Sequence, residues 1–194
     1  MGLRPLGTII MTRLQKIVAI VGLVAFGVAV RFAFHLPDAT PLVAIALVSA
    51  VYLGRKWAII LPLVTLFISD LSIGFYDWRV MASVYGSFAL VGVLSLLLRK
   101  YPNILTGAAI TALSSFLFFL ITNFAVWAFS PWYEKSLTGL LYCYTLGLPF
   151  YRNMALGDAL YTPLLFAVFA YGHIAAAYFA AARQKLALVF AARV

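Results

Sequence analysis

The chain has 194 residues, 65% of them hydrophobic and 10% charged, with 14 Lys and Arg against 5 Asp and Glu for a net charge of +9. With a mean hydropathy of +1.06, this composition excludes an ordinary soluble core. The basic residues hug the ends of apolar blocks instead of forming a stripe with interleaved stacking aromatics, which argues against nucleic acid as a partner. The single cysteine, Cys143, excludes an intrachain disulfide and a Cys-rich metal site.

Residues 1–16 read as a basic extension carrying Arg4, Arg13 and Lys16, followed by the apolar block Ile17–Phe34. That block is read as an uncleaved first membrane span; the alternative is a signal peptide with a poor cleavage site near Ala29 to Ala33. Pro41–Leu53 is apolar but short. About 20 apolar residues cross a hydrocarbon core about 30 Å thick, so this block requires a tilted, interrupted or partly extended geometry. Trp57–Phe75, Val80–Leu98 and Ile104–Phe129 are long enough. Ser130–Arg152 contains Pro131, Trp132, Tyr133, Tyr142, Tyr144 and Pro149, with Ser136–Leu148 expected as a short interfacial helix. It reads either as an aromatic belt or as a lid over a pocket. Asn153–Phe179 supplies the last block, with Asn153 as a helix cap. Residues 181–194 form a basic tail. The expected fold is an all-α, polytopic bundle of six spans over residues 17–180, without repeats or a soluble domain.

Alternating the blocks gathers Arg4, Arg13, Lys16, Arg55, Lys56, Arg99, Lys100, Arg183, Lys185 and Arg193 on one face with no acid among them. The opposite face receives Arg31, Arg79, Lys135 and Arg152, together with Asp38, Asp77 and Glu134. The Lys and Arg bias makes the first face cytoplasmic, with both termini inside, and suits contact with an anionic lipid bilayer.

Ionisable groups within spans are expensive, and in this arrangement they fall toward the outer face. Asp70 closes the third block, Asn123 and Trp127 lie one helical turn apart near the end of the fifth, and Arg152, Asn153, Asp158 and Tyr161 descend along the sixth. His35 and Asp38 arrive from the preceding loop. Apolar and aromatic walls with a few placed polar groups are what a small-molecule substrate needs. The residues have plainer readings too. Asp70 caps a span or pairs with Arg79 or Arg152, Asp158 pairs with Arg152, and Asn123 bonds between helices. His173 reads as a packing residue and Cys143 as a small apolar one. No His-x-x-x-His, Gly-x-Ser-x-Gly or phosphate-loop pattern occurs, so no catalytic residue, metal or cofactor is expected.

Leu53-Gly54-Arg55-Lys56-Trp57-Ala58, leading through an apolar run to Ile68-Ser69-Asp70-Leu71-Ser72-Ile73-Gly74-Phe75, resembles a pattern in the substrate-binding S components of energy-coupling-factor (ECF) vitamin transporters. Residues from about Arg31 to Gly172 also resemble an uncharacterised bacterial membrane family. The phrases that carry this second likeness are Thr40-Pro41-Leu42-Val43, Leu120-Ile121-Thr122-Asn123, Pro149-Phe150-Tyr151-Arg152-Asn153 and Gly157-Asp158-Ala159-Leu160-Tyr161. The S-component resemblance implies six helices and an outward pocket for a vitamin-like, water-soluble nutrient. It also implies coupling to a transmembrane partner with ATPases in the bacterial cytoplasmic membrane. Small residues at a docking face would be Ala19, Gly22, Ala46 and Ala50. The rival expectation is a non-transporting membrane protein that serves assembly or partner binding.

Overall fold

The computed structural model describes residues 11–33 and 39–191, with side chains described through residue 172. Those residues are all helical apart from connections, in the order α1 (Arg13–Ala33), α2 (Leu42–Val48) running into a π-helical turn (Ser49–Leu53), α3 (Arg55–Ile73), α4 (Trp78–Lys100), α5 (Ile104–Phe129) and α6 (Leu137–Ala191). Five helices are long and apolar enough to cross a membrane, the last over Leu137–Gly172. The sixth, Leu42–Leu53, is not. His35 and Asp38 lie outside the described residues, as does the side chain of His173.

Local chemistry sets the helix starts. Thr12 and Gln15 form a reciprocal cap on α1: the Gln15 N–H donates to Thr12 Oγ1 at 3.3 Å and the Thr12 N–H to Gln15 Oε1 at 2.8 Å. Asp77 Oδ1 accepts from the N–H groups of Arg79 and Val80 at the start of α4, and Asn103 Oδ1 from that of Thr106 on α5. Both ends of α3 are glycines with positive φ, Gly54 at 116° and Gly74 at 109°. The Gly54 N–H closes the π turn onto Ser49 O at 2.9 Å, and the Gly74 N–H returns to Asp70 O at 2.9 Å. Gly54 and Gly74 therefore have a structural task at each end of one helix.

The short block solves its length problem by being enclosed. Every residue from Pro41 to Leu53 is buried, and α2 packs against all five longer helices. Those five form a wall in the order α1, α3, α4, α5, α6. The ring of Phe26 meets Tyr161 edge-on at 6.0 Å, linking α1 to α6. Arg99 at the end of α4 donates to Ala50 O at 3.3 Å, bringing a cation to the π turn. Two glycines permit close helix approach: a Cβ on Gly27 would lie 2.6 Å from Thr65 Cγ2 and 2.8 Å from Ile45 Cδ1, and one on Gly92 would lie 2.8 Å from Ala58 O and 2.9 Å from Ile59 Cα.

Two expectations change here. Ser136–Leu148 is not a separate interfacial helix, because α6 begins at Leu137 and continues through Pro149. Membrane helices tolerate an internal proline when neighbours re-satisfy the freed backbone. Asn153 consequently sits inside α6 and caps nothing; Ser136 Oγ accepts from the Gly139 N–H at 3.1 Å instead.

Because the Gly92 neighbours include α3 backbone that cannot swing aside, Gly92→Leu is expected to lower stability by about 1–3 kcal/mol, the usual cost of overpacking. Thermal unfolding in detergent reads this, with Gly86→Leu, whose position has nothing within 4 Å, as the neutral control.

Candidate functional site

The polar residues expected to converge divide among separate neighbourhoods. Asp70, 2% exposed, belongs to a three-helix polar knot: Arg31 Nη2 of α1 donates to its Oδ1 at 2.8 Å and the Tyr85 hydroxyl of α4 to its Oδ2 at 2.9 Å. The partner is thus Arg31, not Arg79 or Arg152, and sequence order points to it, since Arg31 ends α1 at the end of the bundle where α3 finishes. Both carboxylate oxygens are occupied, which is the structural requirement for a buried charge.

Asn123 and Trp127 serve the α5–α6 connection. Asn123 Nδ2 donates to Phe119 O at 2.9 Å, and its Oδ1 faces Gly147, where a Cβ would lie 2.3 Å away. Trp127 Nε1 donates to Glu134 O at 2.9 Å, while Lys135 Nζ donates to Trp127 O and to Ser130 O. Cys143 is buried, with its thiol donating to Asn123 O at 3.4 Å. Arg152 is exposed, Asn153 is half-buried, and Tyr161 packs in the core against Phe26.

The small residues proposed for docking also separate. Ala46 and Ala50 are 0% exposed at the centre of the bundle, so they pack within the chain and offer no surface. Ala19 packs against the core, whereas Gly22 is exposed with nothing within 4 Å of a built Cβ.

Asp158 stands apart, in a cleft between α5 and α6 with a volume of about 660 Å3. The walls are mainly apolar: Leu98 and Ile104 near one end, Ala108, Ala112, Ala155 and Ala159 along the sides, Phe166 below. The polar lining comprises Asn103, Thr111, Ser115, Tyr151, Asp158 and Thr162. Asp158 is 1% exposed. Its Oδ2 lies 2.6 Å from Ser115 Oγ, and its Oδ1 has no partner. Ser115 Oγ also lies 3.0 Å from Thr111 O. A hydroxyl has one proton to give, so it donates either to an ionised Asp158 or to Thr111 O while accepting from a protonated one. Thr162 Oγ1 is also buried without a partner.

Sequence reading placed Asp158 near an outer face. The structure pairs it with Ser115 at the middle of α5, away from both helix ends. Arg31, Tyr85 and Ser115 escaped notice as members of polar clusters. An Arg at one span's end and a Ser within an apolar run carry little signal until their neighbours are known.

Fold and site together define an α-helical protein with five helices long and apolar enough to cross a membrane, an internal polar knot and a carboxyl-bearing cleft. The chain belongs to the family described as "Family of unknown function (DUF6580)", whose model matches residues 11–181. No curated protein and no solved structure matches the chain.

Removing one member of a buried ion pair strands the other, so Asp70→Ala is expected to destabilise by about 3–5 kcal/mol. The double variant Arg31→Met with Asp70→Leu should cost less than the two single changes combined. A double-mutant cycle on unfolding in detergent measures the coupling, and strict additivity would dissociate Arg31 from Asp70.

Proposed function

We propose that this chain is a small-molecule-binding membrane protein of transport type, with the α5–α6 cleft as its binding site. The observation that carries the reading is a carboxyl oxygen of Asp158 that is buried, lines a cleft and meets no donor among the described residues. An intramembrane carboxyl group is costly, and one left half-satisfied beside open space is suited to a ligand more than to holding helices together. A cleft of about 660 Å3 is in the range that takes small organic molecules. Asp70, Asn123 and Trp127 then act in support: they fix the helices and the connection that frame the cleft.

The S-component resemblance supports transport and implies an ECF-type partner. Of the small residues considered, Gly22 remains available for such docking, on a face of α1 that also exposes Ala25, Ala29, Val18 and Val21. The same exposed face would serve assembly in the non-transporting reading. The Lys and Arg bias supports a bacterial cytoplasmic membrane location with the Arg55 and Arg99 end inside.

Two measurements test this reading. Mass spectrometry of small molecules retained by the detergent-purified protein should find a ligand in the wild type that is depleted in Asp158→Asn; the same content in both removes the cleft from the proposal. For orientation, single cysteines at Arg55, Asp77, Arg99 and Glu134 in a Cys143→Ala background meet an impermeant thiol reagent on intact cells. Asp77 and Glu134 positions should label and the other two should not, and the reverse pattern inverts the topology.

A further inference from the structure

The chemistry of the cleft narrows what it takes. Among the fifteen lining residues there is no Lys, Arg or His, so nothing in the wall neutralises an anionic ligand or the Asp158 carboxylate. Beside Asp158 the free polar capacity is weighted toward acceptors, while the lining's other polar groups, Asn103 Nδ2 and the Tyr151 hydroxyl, can donate. Asp158 Oδ1 has no donor. Ala159 and Pro163 both line the cleft, and Pro163, four residues on, has no N–H to return to the Ala159 carbonyl. Thr162 Oγ1 adds a hydroxyl without a partner. Asn103, at the Leu98 and Ile104 end, already accepts from the Thr106 N–H through its Oδ1.

The flank of the cleft decides the route of entry. Ile104 is 88% exposed, and Ala108, Ala112, Ala159 and Pro163 are exposed as well, on helices whose outer surfaces are apolar. Small side chains on both helices leave the opening along the sides of α5 and α6, where hydrocarbon would lie, and not only at a helix end.

We infer that the cleft binds a bilayer-dissolved amphiphile with a largely apolar body and an ammonium group, whose N–H donors reach Asp158 Oδ1 while Ser115 holds Oδ2. This inference rests on the reading of the cleft as the binding site and adds the class of ligand. The cation completes the hydrogen bonding of the carboxylate and balances its charge at a depth where water does neither. The Ser115 hydroxyl is then committed to Asp158 and not to Thr111 O. Anionic amphiphiles are rejected because their head group would face an unneutralised carboxylate.

The test uses the full chain in nanodiscs of zwitterionic lipid and three fluorescent probes with the same dansyl-alkyl body, ending in a primary amine, an alcohol or a carboxylate. Saturable binding is read by fluorescence at a pH where the amine is cationic. The amine should bind at least tenfold more tightly than the alcohol, the carboxylate should not saturate, and Asp158→Asn should weaken the amine by about tenfold or more, the range for a hydrogen bond to a charged group. Ala112→Leu fills an exposed part of the cleft without touching Asp158, and should block all saturable binding. Thr138→Ala, at the far end of α6, should change nothing. Equal binding of amine and alcohol, with both blocked by Ala112→Leu, would overturn the ammonium inference and leave the cleft as a binding site. Tighter binding of the carboxylate would overturn it too. No saturable binding of any probe would remove both.

Discussion

A helix shorter than the bilayer is thick has to be enclosed by helices that are not, because hydrocarbon satisfies neither its ends nor any polar group near them. Leu42–Leu53 imposes this constraint on the whole chain. Its residues are buried from end to end, and the five longer helices are arranged as a wall around it. Gly27 lets α1 close on Ile45 and Thr65, Gly92 lets α4 close on α3, and Arg99 brings a guanidinium to the π-turn carbonyl of Ala50. The wall exists in this form because something short lies inside it.

The same constraint explains why most interior hydroxyls are quiet. Thr65, Ser69, Ser87, Ser95, Thr111 and Thr122 donate back to carbonyls one turn earlier in their own helices. Asp70 is closed off by Arg31 and Tyr85. Among the described residues six buried side-chain polar atoms have no partner, on Arg31, Ser49, Ser114, Ser130, Asp158 and Thr162, and of these Asp158 Oδ1, the one carboxyl oxygen, and Thr162 Oγ1 belong to the lining of the same cleft. The functional reading follows from contrast: the chain has the means to neutralise a buried carboxylate completely, and does so at Asp70 but not at Asp158.

Hydropathy made the five long helices legible, since length and apolar composition suffice for that judgement, and the shortfall of Pro41–Leu53 was visible for the same reason. The π turn and the complete burial of that block were not, because an all-apolar run has no face. The stretch before Asn153 misled through composition: Pro131 and Pro149 with clustered aromatics look like a loop, yet Pro149 is carried inside a helix that starts at Leu137. Of the site, Asp158 was singled out by the cost of a carboxylate within a span. Its partner Ser115 was hidden among four other Ser and Thr residues of α5. Depth along a helix can be counted, but which helices touch at that depth depends on packing.

The π turn has a consequence for rotation. A π-helical hydrogen bond spans one more residue than an α-helical one, and a residue corresponds to about 100° around a helix. Tyr52 therefore points where an uninterrupted α-helix would not have aimed it, and there its ring meets Phe169 at 5.1 Å and Phe166 at 6.1 Å. Phe166 is also part of the cleft wall. The angular setting of a buried helix is thus transmitted through one aromatic contact to the shape of a cavity on the other side of α6. Deleting a residue between Ser49 and Leu53 would restore a regular helix, swing Tyr52 off α6, and reshape the cleft without altering any side chain that lines it.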